Sequence, residues 1–313
     1  MKGKMFLATI ALLSMLLVSG CALDVAKLAK WNPLARTEKV ADTIYVKKAI
    51  PIKSGEEIAK ETDDKINKMV ESINSGDWND AIRVGESAYE VITGSEAAAV
   101  VKDSAYGLDS TKEKLFETLV EAYDYKTNLE GLSNAEKEKY VRVARAHFNI
   151  NPTEPFKKLS LAKVLVDTGK YSEGLKLTTE IYNSKDRTKD VIEQYAWALY
   201  LSGKKPEAFN IYKTFYPQAE TLNQLYHSAI VMEEQNKLLG LILYKGCIGA
   251  GNNLMVLEPN VKNLSAQSYI NSVINGSQKA FDRLMAGGLR IDSSYNLATV
   301  ENLIKSIVRL SQK

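Results

Sequence analysis

From Ser54 onward apolar residues return at helical intervals. Ile66, Met69, Val70 and Ile73 follow the i, i+3, i+4, i+7 rule, and Leu115, Leu119 and Ala122 do so within 111–126. Each such segment carries one apolar stripe, and the strict alternation of a half-buried strand is almost absent, so the pattern predicts amphipathic helices with one face buried. Turn signals at Ser75-Gly76-Asp77, Thr168-Gly169-Lys170, Ser202-Gly203-Lys204 and Asn275-Gly276-Ser277 divide the chain into helices of roughly 12 to 18 residues, in pairs. The expectation is an all-α chain of helical hairpins over 54–313.

Two of these hairpins repeat. LAKVLVDTGKYSEGLKL at 161–177 lies over YAWALYLSGKKPEAFNI at 195–211, sharing Ala162/Ala196, Leu165/Leu199, Gly169/Gly203, Glu173/Glu207 and a small residue at Gly174/Ala208. The 34-residue period and this skeleton resemble the tetratricopeptide repeat, a helix–turn–helix unit whose small residues let paired helices approach closely. Asn151-Pro152 falls where that family closes a preceding repeat. INSGDWNDAIRVGESAYEV at 73–91 has the same turn, with Ala81 and Ala88 at small positions, but stands several residues out of register. The break implies an insertion between about 95 and 150. Gly174, Ile181 and Phe215 depart from the family's usual residues, and the pattern loosens after Asn223. The resemblance implies a right-handed α-solenoid of such repeats.

The start of the chain is of another kind. Lys2 and Lys4 precede an almost unbroken apolar run from Met5 to Val18, with small residues at Ser19 and Gly20 before Cys21. This is a targeting segment, too short to span a bilayer comfortably. VSGC resembles the bacterial lipobox, which implies that residues 1–20 are a cleaved signal peptide and that Cys21 becomes a lipidated N-terminus. The competing reading is a plain secretory signal followed by an incidental cysteine. Ala22 lacks the aspartate that retains lipoproteins in the inner membrane, so outer-membrane, periplasm-facing sorting is expected in a two-membrane host. Beyond Cys21, Trp31-Asn32-Pro33 and Ile50-Pro51 interrupt the chain, and Thr43-Ile44-Tyr45-Val46 is a short β-like run, so residues 21–53 read as a membrane tether.

Charge and composition narrow the chemistry. The chain has 313 residues and a formal charge of +3, which falls to +1 once Lys2 and Lys4 leave with the signal; such a body has no electrostatic footprint for nucleic acid. With Cys21 lipidated only Cys247 remains, which excludes an intrachain disulfide and reads as a small buried apolar residue. Thr168-Gly169-Lys170 lacks both the preceding strand and the spacing of a phosphate loop, so it reads as a turn. Lys245 to Gly251 is glycine-rich without the dinucleotide order, and reads as a glycine-capped helix end with a long loop from Asn252-Asn253 to Glu258-Pro259. His147 and His227 are the only histidines and give no metal-ligand spacing. No nucleophile elbow or catalytic carboxylate pair stands out, so neither enzyme activity, cofactor nor metal is expected.

The family resemblance also implies a concave groove. Counted from Pro155 and Lys189 as first positions, its lining falls on Phe156, Leu159, Lys163, Val166 and Asp167, then on Asp190, Glu193, Trp197, Tyr200 and Leu201; Gln224, His227, Val231, Glu234 and Gln235 continue it. Lys163, Asp167, Glu193, Trp197, Tyr200 and His227 are the candidate partner-binding residues. Trp197 and Tyr200 are the expected anchors, since central aromatics dominate binding energetics; aromatics at helical spacing equally suit a core. The function expected from these features is a lipid-anchored scaffold that binds envelope proteins or peptides without catalysis. The alternative is a lipoprotein holding a small molecule, peptide or glycan fragment in a helical pocket. An open groove longer than about 20 Å favours the first, and a cavity of roughly 300–1,000 Å³ the second.

Overall fold

A computed structural model describes residues 53–94, 108–185, 187–257, 263–291 and 298–310. The chain divides into Met1–Pro51 and Ile52–Lys313, and every described residue lies in the second part. The signal segment, Cys21, the tether and the β-like run at 43–46 lie outside the described residues.

Among the described residues all regular structure is helical. The helices are α1 Gly55–Asn74, α2 Trp78–Thr93, α3 Asp109–Leu129, α4 Asn134–Ile150, α5 Pro155–Asp167, α6 Tyr171–Tyr182, α7 Lys189–Leu201, α8 Lys205–Phe215, α9 Leu222–Gln235, α10 Lys237–Leu257, α11 Leu264–Ala286 and α12 Ala298–Leu310, with a 3-10 turn at Tyr216–Gln218. Their starts are written in the sequence. Ser54 and Ser133 form reciprocal capping boxes with Glu57 and Glu136, while Asp77, Thr188, Thr221 and Asn263 each accept a backbone N–H of the first turn.

The hairpin turns share one construction. Gly76, Gly169 and Gly203 have φ of 79°, 87° and 82°, in the left-handed region. Each glycine N–H donates to the carbonyl three residues back, and the next N–H donates to the carbonyl five back, as from Lys170 to Leu165 and from Lys204 to Leu199. This satisfies carbonyls that the helix end would otherwise orphan. Thr168-Gly169-Lys170 is therefore a turn. Gly288, with φ 91°, closes α11 in the same way, at a position the sequence pattern did not mark.

Each helix packs on the next from α1 to α11, and α12 returns to α10. The odd-numbered helices also meet one another, α1 on α3, α5 on α7 and α7 on α9, and so form one side of the array. Apolar packing falls into two clusters. One runs from Ile58 to Leu165 and the other from Ala196 to Ile307.

Several expectations need correction. Asn275-Gly276-Ser277 is not a turn but the interior of α11, where a Cβ on Gly276 would stand 2.6 Å from the Tyr226 hydroxyl. Gly246, Gly249 and Gly251 do not end a helix either; they lie inside α10, and Asn252-Asn253 continues it. Cβ atoms there would meet Val300, Ile304 and Ile274 at 2.9, 3.1 and 2.5 Å, so these glycines let α11 and α12 pack closely on α10. Within the segment expected as an insertion, the described residues form the helix pair α3 and α4. Helices reach 23 residues in α11, beyond the expected span, and Val70 is 43% exposed rather than part of the buried stripe.

The helix α11 departs from neighbour-only packing. It touches α9 and α10, and also α1 and α3. Ser265 Oγ donates to the carbonyl of Ile73 at 2.6 Å, and Leu264 lies over Gly76. A helix of 23 residues is about 35 Å long, enough to cross the odd-helix side.

Candidate functional site

The odd helices bring charged side chains into register along one side. Lys163 Nζ of α5 donates to Asp124 Oδ1 of α3 at 2.6 Å and to Asp167 Oδ2 at 3.3 Å. Tyr140 donates to the same Asp124. Between α7 and α9 three contacts join residues 34 apart: Gln224 Nε2 donates to Asp190 Oδ1 at 2.8 Å, His227 Nδ1 lies 2.6 Å from Glu193 Oε1, and the Tyr200 hydroxyl donates to Glu234 Oε1 at 2.6 Å.

Beside this ladder lies a cavity of about 440 Å³. Glu117, Val120, Glu121 and Asp124 of α3 form one wall, with His147 of α4; Phe156, Leu159, Ser160 and Lys163 of α5 line the middle; Asp190, Glu193 and Gln194 of α7, then Thr221, Asn223 and Gln224 at the start of α9, complete it. The site spans α5 and α7, where one apolar cluster gives way to the other, so polar residues face space instead of a packed core.

Its electrostatics are acidic. Five carboxylates line it against the single ammonium of Lys163. Burial raises the Glu121 carboxyl above its ordinary value, and the charges of Asp124 and Glu117 add to the effect. Burial likewise raises Asp167, with Asp124 adding and Lys163 opposing. Desolvation pulls the Lys163 ammonium down, but Asp124 and Asp167 outweigh it and hold it above its usual range. His147 is pushed towards the neutral form by burial and by Lys157.

Tyr269 of α11 reaches the same region. Its hydroxyl donates to Asn223 Oδ1 at 2.6 Å, and burial raises its pKa in the field of Lys163, Glu193, Asp124 and Asp167. Helix α11 thus lies against the odd-helix side next to the cavity.

Most of the residues predicted for the groove fall into three sets. Phe156, Leu159, Lys163, Asp190, Glu193 and Gln224 line the cavity. Trp197, Tyr200 and His227 stack on one another instead: the Trp197 and His227 rings are 3.8 Å apart and 3° from parallel, and Tyr200 lies 5.2 Å from Trp197. Asp167 is held by Lys163, while Val166 and Val231 are in the core. The α3 wall, Ser160, Gln194, Asn223 and Tyr269 were missed. Glu117, Glu121 and Asp124 do carry a signal, acidic residues at i, i+4 and i+7 on a helix whose other face is apolar.

Two buried tyrosine hydroxyls find carboxylates. Tyr123 donates to Glu86 and Tyr212 to Glu193, at 2.9 and 3.0 Å. Cys247 is fully buried, its thiol pushed up to about 12 by desolvation, so it packs as an inert apolar group. Among the described residues no three metal-ligating side chains are grouped to hold an ion, and no helix is long and apolar enough to cross a membrane. Neither a protein-family model nor a curated protein matches this chain.

Proposed function

We propose that this protein is a lipid-anchored binding protein whose helical-repeat body holds a small ligand, without catalysis, in a cavity on the side formed by the odd helices. In this reading Cys21 carries the lipid and the body is a right-handed, tetratricopeptide-like solenoid facing the periplasm of a two-membrane cell. The observation that carries the ligand reading is the course of α11. A protein-docking groove needs the odd-helix side clear along its length, whereas α11 crosses it from α9 to α1 and leaves beside it about 440 Å³, inside the range usual for small-ligand sites.

A photo-cross-linking residue in place of Ser160, in the full-length protein in its native envelope, tests the reading. The expected product is a low-mass adduct seen by mass spectrometry. A discrete higher-mass band containing a second protein would overturn the pocket and return this side to protein docking. The anchor is tested separately: Cys21→Ala should leave the protein unprocessed or release it from the membrane. Processed protein that still requires detergent would refute lipidation.

A further inference from the structure

Resting on the pocket reading just proposed, we infer that the ligand is a compact organic cation, an ammonium or guanidinium group joined by a short aliphatic spacer to a neutral hydrogen-bond acceptor. The pairing state of the lining separates used groups from unused ones. Asp124 is engaged by Lys163 and Tyr140, Asp190 by Gln224, and Glu193 by Tyr212 and His227. Glu117 and Glu121, one turn apart on α3, have no hydrogen-bond or ion-pair partner among the described residues. They carry like charge on one wall, and burial and neighbouring charge already strain the ionised form of Glu121. A cation between them relieves both effects.

A second, independent observation comes from the far wall. Gln194 of α7 lines the cavity at 7% exposure, and its Nε2 has no hydrogen-bond partner. Buried amides are rarely left so, and a free N–H calls for an acceptor. That acceptor is neutral, because a carboxylate would enter a site with five carboxylates and one ammonium. Val120 on the α3 wall, Leu159 in the middle and Phe156 at 62% exposure suit methylene groups and offer an aromatic face to a cation. A metal ion fits less well, since no three ligating groups converge among the described residues. At the ~30 Å³ of a water molecule in the liquid, 440 Å³ holds about fifteen heavy atoms, the size of a blocked basic amino acid.

The test titrates the full-length acylated protein, in detergent micelles, with Nα-acetyl-lysinamide and Nα-acetyl-norleucinamide (lysinamide and norleucinamide below, the α-amine blocked in both so that the first alone is a cation), glutarate and a blocked Gly-Lys-Gly tripeptide, read by ligand-observed NMR and calorimetry. Lysinamide is expected to bind at least tenfold more tightly than norleucinamide, and glutarate not at all. Glu117→Gln with Glu121→Gln should erase that preference, while Gln194→Leu should weaken lysinamide and norleucinamide alike, because both carry the amide carbonyl. Tighter binding of the tripeptide identifies a basic residue within a polypeptide as the source; tighter binding of lysinamide identifies a free amino compound. Norleucinamide or glutarate binding as well as lysinamide would overturn the cation assignment and keep the pocket. If no probe binds and the Ser160 cross-link captures a protein, both fall. Far-ultraviolet spectra of the variants establish that they fold.

Discussion

Glu193 Oε1 accepts the hydroxyl hydrogen of Tyr212 at 3.0 Å and lies 2.6 Å from Nδ1 of His227, which follows it by 34 residues. One buried carboxylate thereby joins α8 and α9 to α7. Glu193→Ala strands the fully buried Tyr212 hydroxyl and should cost about 1–3 kcal/mol, measured by urea denaturation. Glu193→Gln keeps an acceptor and should cost less. Adding Tyr212→Phe to Glu193→Ala should recover part of the loss, and strict additivity would show that the pair does not act as one unit.

Trp197 has a structural task. Its ring is stacked on His227 and Tyr200, so Trp197→Ala should lower stability by about 2–4 kcal/mol, from lost ring contacts and lost burial. Thermal melting followed by circular dichroism checks this. Unchanged melting together with a lost partner would restore Trp197 as a binding anchor.

The interior glycines of α10 set how closely α11 approaches. A Cβ on Gly251 would stand 2.5 Å from Ile274 Cγ1. Gly251→Val should therefore overpack at a cost of about 1–3 kcal/mol, with hydrogen exchange faster in α11 than in α5 to α8. Uniformly faster exchange would count against a local role.

The Glu136 carboxyl is held at about 2, against 4.5 when free, by hydrogen bonds from Lys126 and from the side chain and backbone of Ser133. As pH falls below 4.5 the unfolded chain takes up this proton first, so the stability that Glu136 provides is complete above 4.5 and lost on descent to about 2. Allowing for solvent screening, that stability is roughly 1–2 kcal/mol. Glu136→Gln should lower neutral-pH stability by that amount and flatten the denaturation midpoint across this window. A parallel pH profile in the variant would rule out the linkage.

The helical class and the glycine turns were legible because each is a local event, as when Gly169 closes a helix with bonds to residues just behind it; the caps carry an equally local signal, Ser133 and Glu136 standing three residues apart, that the sequence reading left unused. Phe156, Leu159, Lys163, Asp190, Glu193 and Gln224 were legible through the family resemblance. What escaped depends on distant partners. Gly276 looks like a turn until Tyr226 lies against it, and Gly251 like a helix end until Ile274 does. The α3 wall was hidden because the register break at 95–150 suggested an insertion, although Glu117, Glu121 and Asp124 share one helix face. Nothing local to Trp197 announces that its partner is His227, thirty residues on and one helix pair away.

The bond from Ser265 to Ile73 joins residues 192 positions apart. A row of hairpins touching only their neighbours can nucleate anywhere and fray from either end, one unit at a time. A closing helix changes that cooperativity, because the first hairpin lacks part of its packing until the last third of the chain has been made. The N-terminal helices must wait during synthesis, and loop closure over so long a span slows the final folding step. Once formed, the same link makes the ends protect each other, so a truncation after α10 should register as loosening in α1.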